Sequence, residues 1–179
     1  MSHVYLAASL PGLDLGHPPP LGLETFAARC AGVLEAPALA DVQNLLAGED
    51  HNLRTEPGRR WQALETQLRN EVAIARRPNQ DLAHPFYTGY SVEIRDSVRR
   101  AFGAQTPLKR ERILDRCRFA LLEELAEGNT LSLGRIIGFA GQLRLVHRWA
   151  GWDQQAGRRR FADMIGTLRD TIIAGQDNG

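Results

Sequence analysis

One pattern constrains this chain more than any other. Between Pro57 and Pro78, Trp61, Leu64, Leu68, Val72 and Ala75 recur at steps of three or four, the spacing that places side chains on one face of an α-helix. Pro57 suits a first helical turn, where its missing N–H is not needed, and Pro78 ends the run because it cannot continue the ladder. The product is an amphipathic helix of about five turns. Its other face carries Arg59, Arg60, Glu65, Arg69, Glu71, Arg76 and Arg77, and its basic C-terminal end suits the helix dipole.

The same punctuation recurs along the chain. Leu23, Phe26, Ala27, Cys30, Val33 and Leu34 fall at helical spacing with Glu24 in the first turn, so Cys30 is expected in the core. Pro37 opens a second short helix with Leu39, Val42, Leu45 and Leu46 inward, and Gly48 is placed to end it in the left-handed region. A polar loop from Glu49 to Glu56 follows. Ser91 is placed to cap a helix running through Ile94, Val98 and Phe102 to Gly103, and Thr106-Pro107 starts another whose stripe is Ile113, Leu114, Cys117, Leu121 and Leu125. Thr130 or Ser132 caps the next, with Ile136, Ile137, Phe139, Ala140, Leu143 and Val146 inward; its Gly134, Gly138 and Gly141 allow a neighbouring backbone to approach closely. Asp153 begins a last helix with Phe161, Met164, Ile165, Leu168 and Ile172 inward. Val4 to Leu10 is too short for periodicity to separate strand from helix, and Gly12 to Gly22, with three consecutive prolines from Pro18, reads as an extended linker. The expected fold is all-α: an antiparallel bundle of about six to seven helices in a single domain over 1–179, divisible at Gly103 into lobes 1–103 and 104–179.

Composition and charge narrow the function classes. With 43% apolar and 24% charged residues in 179, the chain can bury a core. The longest stretch without Asp, Glu, Lys or Arg, Met1 to Leu13, falls short of the roughly 18 residues a membrane span needs. The N-terminus lacks the basic, apolar and small-residue succession of an export signal, and two cysteines far apart in sequence make no disulfide framework, so the cytoplasm is the expected location. The net charge of +1 conceals an acidic first third, with two arginines against seven acids up to residue 56, and a basic remainder. So neutral a total argues against generic nucleic-acid binding, which depends on phosphate neutralisation. All basic residues but Lys109 are arginine.

No catalytic constellation stands out. The single lysine, between Leu108 and Arg110, follows no glycine-rich phosphate loop; no serine sits between glycines as a nucleophile elbow; neither cysteine has metal-ligand spacing. His3, His17, His51, His84 and His147 are scattered singly, and Glu123 and Glu124 are adjacent and so face apart on a helix. No catalytic, cofactor-binding or metal-ligating residue is assigned. Three basic features remain as candidate protein-binding faces: Arg69, Arg76 and Arg77 on the long helix; Arg144 and Arg148 one turn apart beside His147 and Trp149; and the run Arg158, Arg159 and Arg160. Each has an alternative reading as a solvated face or as partner to internal acids such as Asp153 and Asp163.

Several spaced segments resemble a known family. VYLAASLPGL (from Val4), PPLGLETF (from Pro19), LRNEVAIARR (from Leu68), TPLKRERILDRCRFALLEEL (from Thr106) and LGRIIGFAGQLRLVHRWAGWDQQAG (from Leu133) are similar, in order, to a bacterial family of unknown function typically encoded with V-type ATPase subunits. Its members look like shortened relatives of the C subunit, the all-helical funnel between central shaft and membrane rotor ring. The resemblance implies a non-catalytic accessory or central-stalk part, with no cofactor and no small-molecule substrate, that contacts shaft or ring subunits and meets the membrane only through the complex. The alternative of another class is a helical nucleic-acid-binding or regulatory adaptor using Arg95, Arg99, Arg100, Arg110, Arg112, Arg116 and Arg118, in a segment holding eight basic residues against three acids.

Overall fold

The computed structural model describes residues 3–77, 88–126 and 129–151, and these hold seven helices and no strand: α1 (His3–Ala8), α2 (Leu23–Ala31), α3 (Ala36–Ala47), α4 (Glu56–Arg76), α5 (Val92–Phe102), α6 (Pro107–Glu124) and α7 (Leu133–Ala150). The all-α class follows. The N-terminal segment left open by its length is the short helix α1. The expected final helix from Asp153 lies outside the described residues.

Helix ends follow the punctuation closely. Thr55, Thr106 and Ser132 each accept a hydrogen bond from a backbone N–H three residues on, at 3.1, 3.2 and 3.3 Å, which satisfies donors the first turn leaves free. Gly48 closes α3 at φ 87°, a conformation that costs a side-chain-bearing residue heavily. Ser91 departs from expectation. It stands at the N-cap of α5, but its hydroxyl donates to Glu93 at 2.7 Å instead of capping. Gln67 of α4 instead holds the backbone of Ser91 itself, accepting from its N–H at 2.9 Å and donating to its carbonyl at 2.7 Å.

The core is continuous from α1 to α7. Trp61 and Leu68 of α4, Phe26 of α2, Ile94 of α5 and the inward stripe of α7 are all buried, with Phe26 and Phe139 rings 4.9 Å apart. Cys30 is fully buried, as its place on the stripe required. Helices α6 and α7 run antiparallel, because Gly134 lies against Leu125 while, further along α7, Arg148 meets Glu111. They approach so closely that a Cβ at Gly134 or Gly138 would collide with the carbonyl oxygens of Leu125 or Leu122, the close approach the three glycines foretold. The proline-rich segment is irregular but not detached: Leu13, Leu15 and Leu21 pack on the core, and His147 Nε2 lies 2.8 Å from the Leu21 carbonyl.

Candidate functional site

Among the described residues, the ion pairs that join one helix to another or to a loop are concentrated where α4, α6, α7 and the loop after α3 converge. The loop is shaped by Asp41, fully buried in α3, which accepts from the backbone N–H groups of Arg54 and Thr55 at 2.8 Å each and from the Thr55 hydroxyl at 2.6 Å. That hold fixes the chain entering α4 and places Asp50 inside. Asp50 Oδ1 accepts from the indole of Trp61 at 2.9 Å, and its Oδ2 faces Arg69 at 3.1 Å and Arg144 at 3.4 Å.

From Asp50 an alternating line of charge crosses the helices. Arg69 donates through Nε to Glu65 at 3.0 Å, and Glu65 takes Arg118 of α6 in a two-pronged pair at 2.9 and 3.1 Å. Arg118 also reaches Asp115 at 2.9 Å, Asp115 meets Arg148 of α7 at 3.1 Å and the Trp149 indole at 2.9 Å, and Arg148 ends the line on Glu111 at 3.2 Å. Four guanidinium groups and four carboxylates thus alternate from Arg144 to Glu111. Asp50, Glu65 and Asp115 are buried, where unpaired charge would be costly; the forked geometry of arginine lets each carboxylate collect more than one donor. Burial alone would lower the proton affinity of Arg118, but Glu65 and Asp115 outweigh it and hold the guanidinium above its ordinary value. Arg144 adds a bond to the Leu45 carbonyl at 3.2 Å, a basic group at the C-terminal end of α3 where the dipole favours it.

Over this line lies an open cleft of about 540 Å³. Arg69, Arg76, Arg118, Arg144 and Arg148 line it, with Val72, Ala73, Leu114 and Leu145 as apolar patches between them. The fold therefore brings together candidates from two of the three basic features. Arg69, Arg144 and Arg148 are committed to internal carboxylates, with Arg69 and Arg148 about half exposed; the acids they meet are Asp50, Glu65, Asp115 and Glu111, whereas Asp153 and Asp163 lie outside the described residues. Arg76 is exposed on the cleft wall and makes no ion pair or hydrogen bond among the described residues. Arg77 ends α4, exposed. Arg158, Arg159 and Arg160 lie outside the described residues.

The arginines of residues 95 to 118 do not share one face. Arg118 turns inward to Glu65, Arg110 lies over the Phe102 ring, Arg112 over Trp149, and Arg99 pairs with Asp96. Among the described residues no group of histidine, cysteine and acidic side chains is arranged to hold a metal ion, and no helix is long and apolar enough to cross a membrane. Burial pushes the Cys30 thiol up to about 12 and raises that of Cys117, the direction opposite to activation as a nucleophile.

Sequence reasoning passed over Asp41, Asp50 and Asp115, and it placed Glu65 on the face of α4 away from the core, whereas the packing of α6 against α4 buries it with Arg118. Three of these four acids carried a signal. Glu65 sits between Trp61 and Leu68, Asp41 between Ala38 and Leu45, and Asp115 one position after Leu114 and seven before Leu122; an acid at core spacing implies a buried partner. Asp50, in a loop, has no such mark.

A family model described as a protein of unknown function (DUF2764) matches residues 60–172, a span that includes most of α4, all of α5 to α7 and the arginines of the cleft. No curated protein and no solved structure matches the chain.

Proposed function

Because the chain belongs to this family of unknown function, its role rests on its own chemistry, and we propose that it is a non-catalytic accessory or central-stalk component of a bacterial V-type rotary ATPase, similar to the C subunit and working through protein contacts at the cytoplasmic side of the membrane. The observation that carries the reading is the line of alternating charge from Arg144 to Glu111. A part that transmits torque or fixes rotor geometry has to keep its helices from sliding past one another. Apolar packing resists separation but is non-directional, whereas forked arginine–carboxylate pairs fix position and rotation at the same time. The line joins the loop after α3 to α4, α6 and α7, and the close α6–α7 contact at Gly134 and Gly138 stiffens the same region. The resemblance of several segments, in order, to a family typically encoded with V-type ATPase subunits is what favours that machine over another assembly.

The acidic first third and basic remainder meet inside the molecule, Asp50 with Arg69 and Arg144, so part of the charge asymmetry serves folding. Among the described residues, acids such as Glu24, Glu35, Glu49 and Glu56 and arginines such as Arg76 and Arg77 are exposed and are left for partners, where complementary potentials set register. The test is purification of the tagged full chain from a bacterium that encodes both it and the ATPase: shaft or ring subunits are expected to accompany it. Their absence from gently extracted membranes and cytosol removes the proposal.

A further inference from the structure

The cleft has an excess of one charge, and this points to its occupant. The line beneath it is balanced, four guanidinium groups against four carboxylates, which leaves Arg76 as the single uncompensated cation of the lining among the described residues. Arg69, Val72, Ala73 and Arg76 fall three, four and seven positions apart and all line the cleft, so α4 presents one straight face with small apolar residues between two cations. Arg69 uses Nε and Nη2 internally and is about half exposed, so Nη1 is a spare donor.

We propose that this cleft docks a helix of a partner protein through a glutamate that pairs with Arg76, the next turn of that helix resting an apolar side chain on Val72 and Ala73. The inference rests on the reading of the chain as a component working by protein contacts and names the chemistry of one contact. One excess positive charge matches one carboxylate. A phosphate or nucleotide brings two or more negative charges, and would sit near Glu65, Asp50 and Glu111 with one uncompensated cation, Arg76, and one spare donor of Arg69 to answer it. The apolar patches also suit the methylene stem of glutamate and a neighbouring aliphatic group better than a fully hydrated anion. About 540 Å³ accommodates a few side chains from one helix face and not a buried helix.

The probe is a fluorescein-labelled, alanine-based helical peptide carrying glutamate one turn from leucine, with a second peptide bearing glutamine in place of the glutamate. Fluorescence anisotropy with the full chain is expected to show the glutamate peptide bound about tenfold more tightly, as a charge-assisted pair requires, and Arg76→Gln is expected to abolish that preference. Arg76 has no internal partner among the described residues, so Arg76→Gln keeps its fold, verified by circular dichroism. Failure of the glutamate peptide to bind, equal binding of the two peptides, a preference that survives Arg76→Gln, or displacement of the peptide by pyrophosphate at lower concentration than by free glutamate peptide each overturns the proposal, the last in favour of a phosphate site. No ATPase subunit enters this assay. If wild type and Arg76→Gln co-purify equally with ATPase subunits, the cleft contact falls while the wider functional reading stands.

Discussion

Removing Arg118 is the severest test of the buried charge line. Arg118→Met keeps an unbranched stem of similar reach but withdraws three bonds to carboxylates, two to Glu65 and one to Asp115. Breaking a buried ion pair on one side costs about 3–5 kcal/mol, because the abandoned charge stays desolvated. Neither acid is wholly abandoned here: Glu65 keeps Arg69 at 3.0 Å, and Asp115 keeps Arg148 at 3.1 Å and Trp149 at 2.9 Å. The expected loss is therefore at the lower end, about 3 kcal/mol, a large part of the roughly 5–15 kcal/mol that holds a domain together. In urea unfolding followed by tryptophan fluorescence, with a slope of about 2 kcal/mol per molar, the midpoint moves down by about 1.5 M. Glu65→Gln alone is expected to cost about 2 kcal/mol, and the double variant less than the sum by about 1.5 kcal/mol or more, since residues in one network do not act independently. The loss changes little between about 0.05 and about 0.5 M NaCl, because buried pairs are weakly screened. A cost below about 1 kcal/mol, strict additivity, or a strong salt dependence refutes the claim that the line braces the fold.

Other expectations follow from single contacts. Gly138→Ala drives a Cβ into the Leu122 carbonyl and is expected to destabilise by about 2 kcal/mol even after the gain in helix propensity of about 1 kcal/mol; Gly32→Ala, with open space around it, is the control and changes stability by less than about 0.5 kcal/mol in the same denaturation. Asp41→Asn turns an amide donor toward donors of Arg54 and Thr55 and should cost about 2–3 kcal/mol, read by urea unfolding. Cys30, with its thiol pushed up to about 12, resists iodoacetamide at pH 8 in the native protein and reacts once urea is added. The sign of its pH linkage is fixed: above the ordinary thiol value of 9.0 the unfolded chain releases a proton that the folded one keeps. Its contribution to stability is complete below that value and fades as pH rises toward about 12, and Cys30→Ala should flatten that part of the pH profile.

Much of the architecture was written in period and punctuation. Helix α3 illustrates why: Pro37 starts it and Gly48 stops it through backbone geometry that few other residues satisfy. The approach of α6 to α7 was equally legible, since glycines at helical spacing have few other uses there. What the letters concealed was pairing across distance. Arg69 and Arg144 read as outward-facing cations because nothing local says that Asp50 arrives between them from a loop far along the chain. Arg118 looked like part of a basic stretch, yet its partner Glu65 lies 53 positions away. Long-range ion pairs leave no periodic trace, so a basic face and a buried brace look alike until the helices are packed. The same packing explains why Arg76 is the cleaner probe of docking: Arg69→Glu would strike the brace as well as the surface.

The most direct test of the central claim is ATP-driven ion pumping by inverted membrane vesicles from a bacterium that carries both this chain and a V-type ATPase, with the gene for the chain deleted. If the protein is a rigid, non-catalytic part of the rotary path, pumping falls while ATP hydrolysis by the catalytic head persists, and adding purified wild-type chain restores pumping. Pumping at the full rate in vesicles that lack the chain contradicts the account.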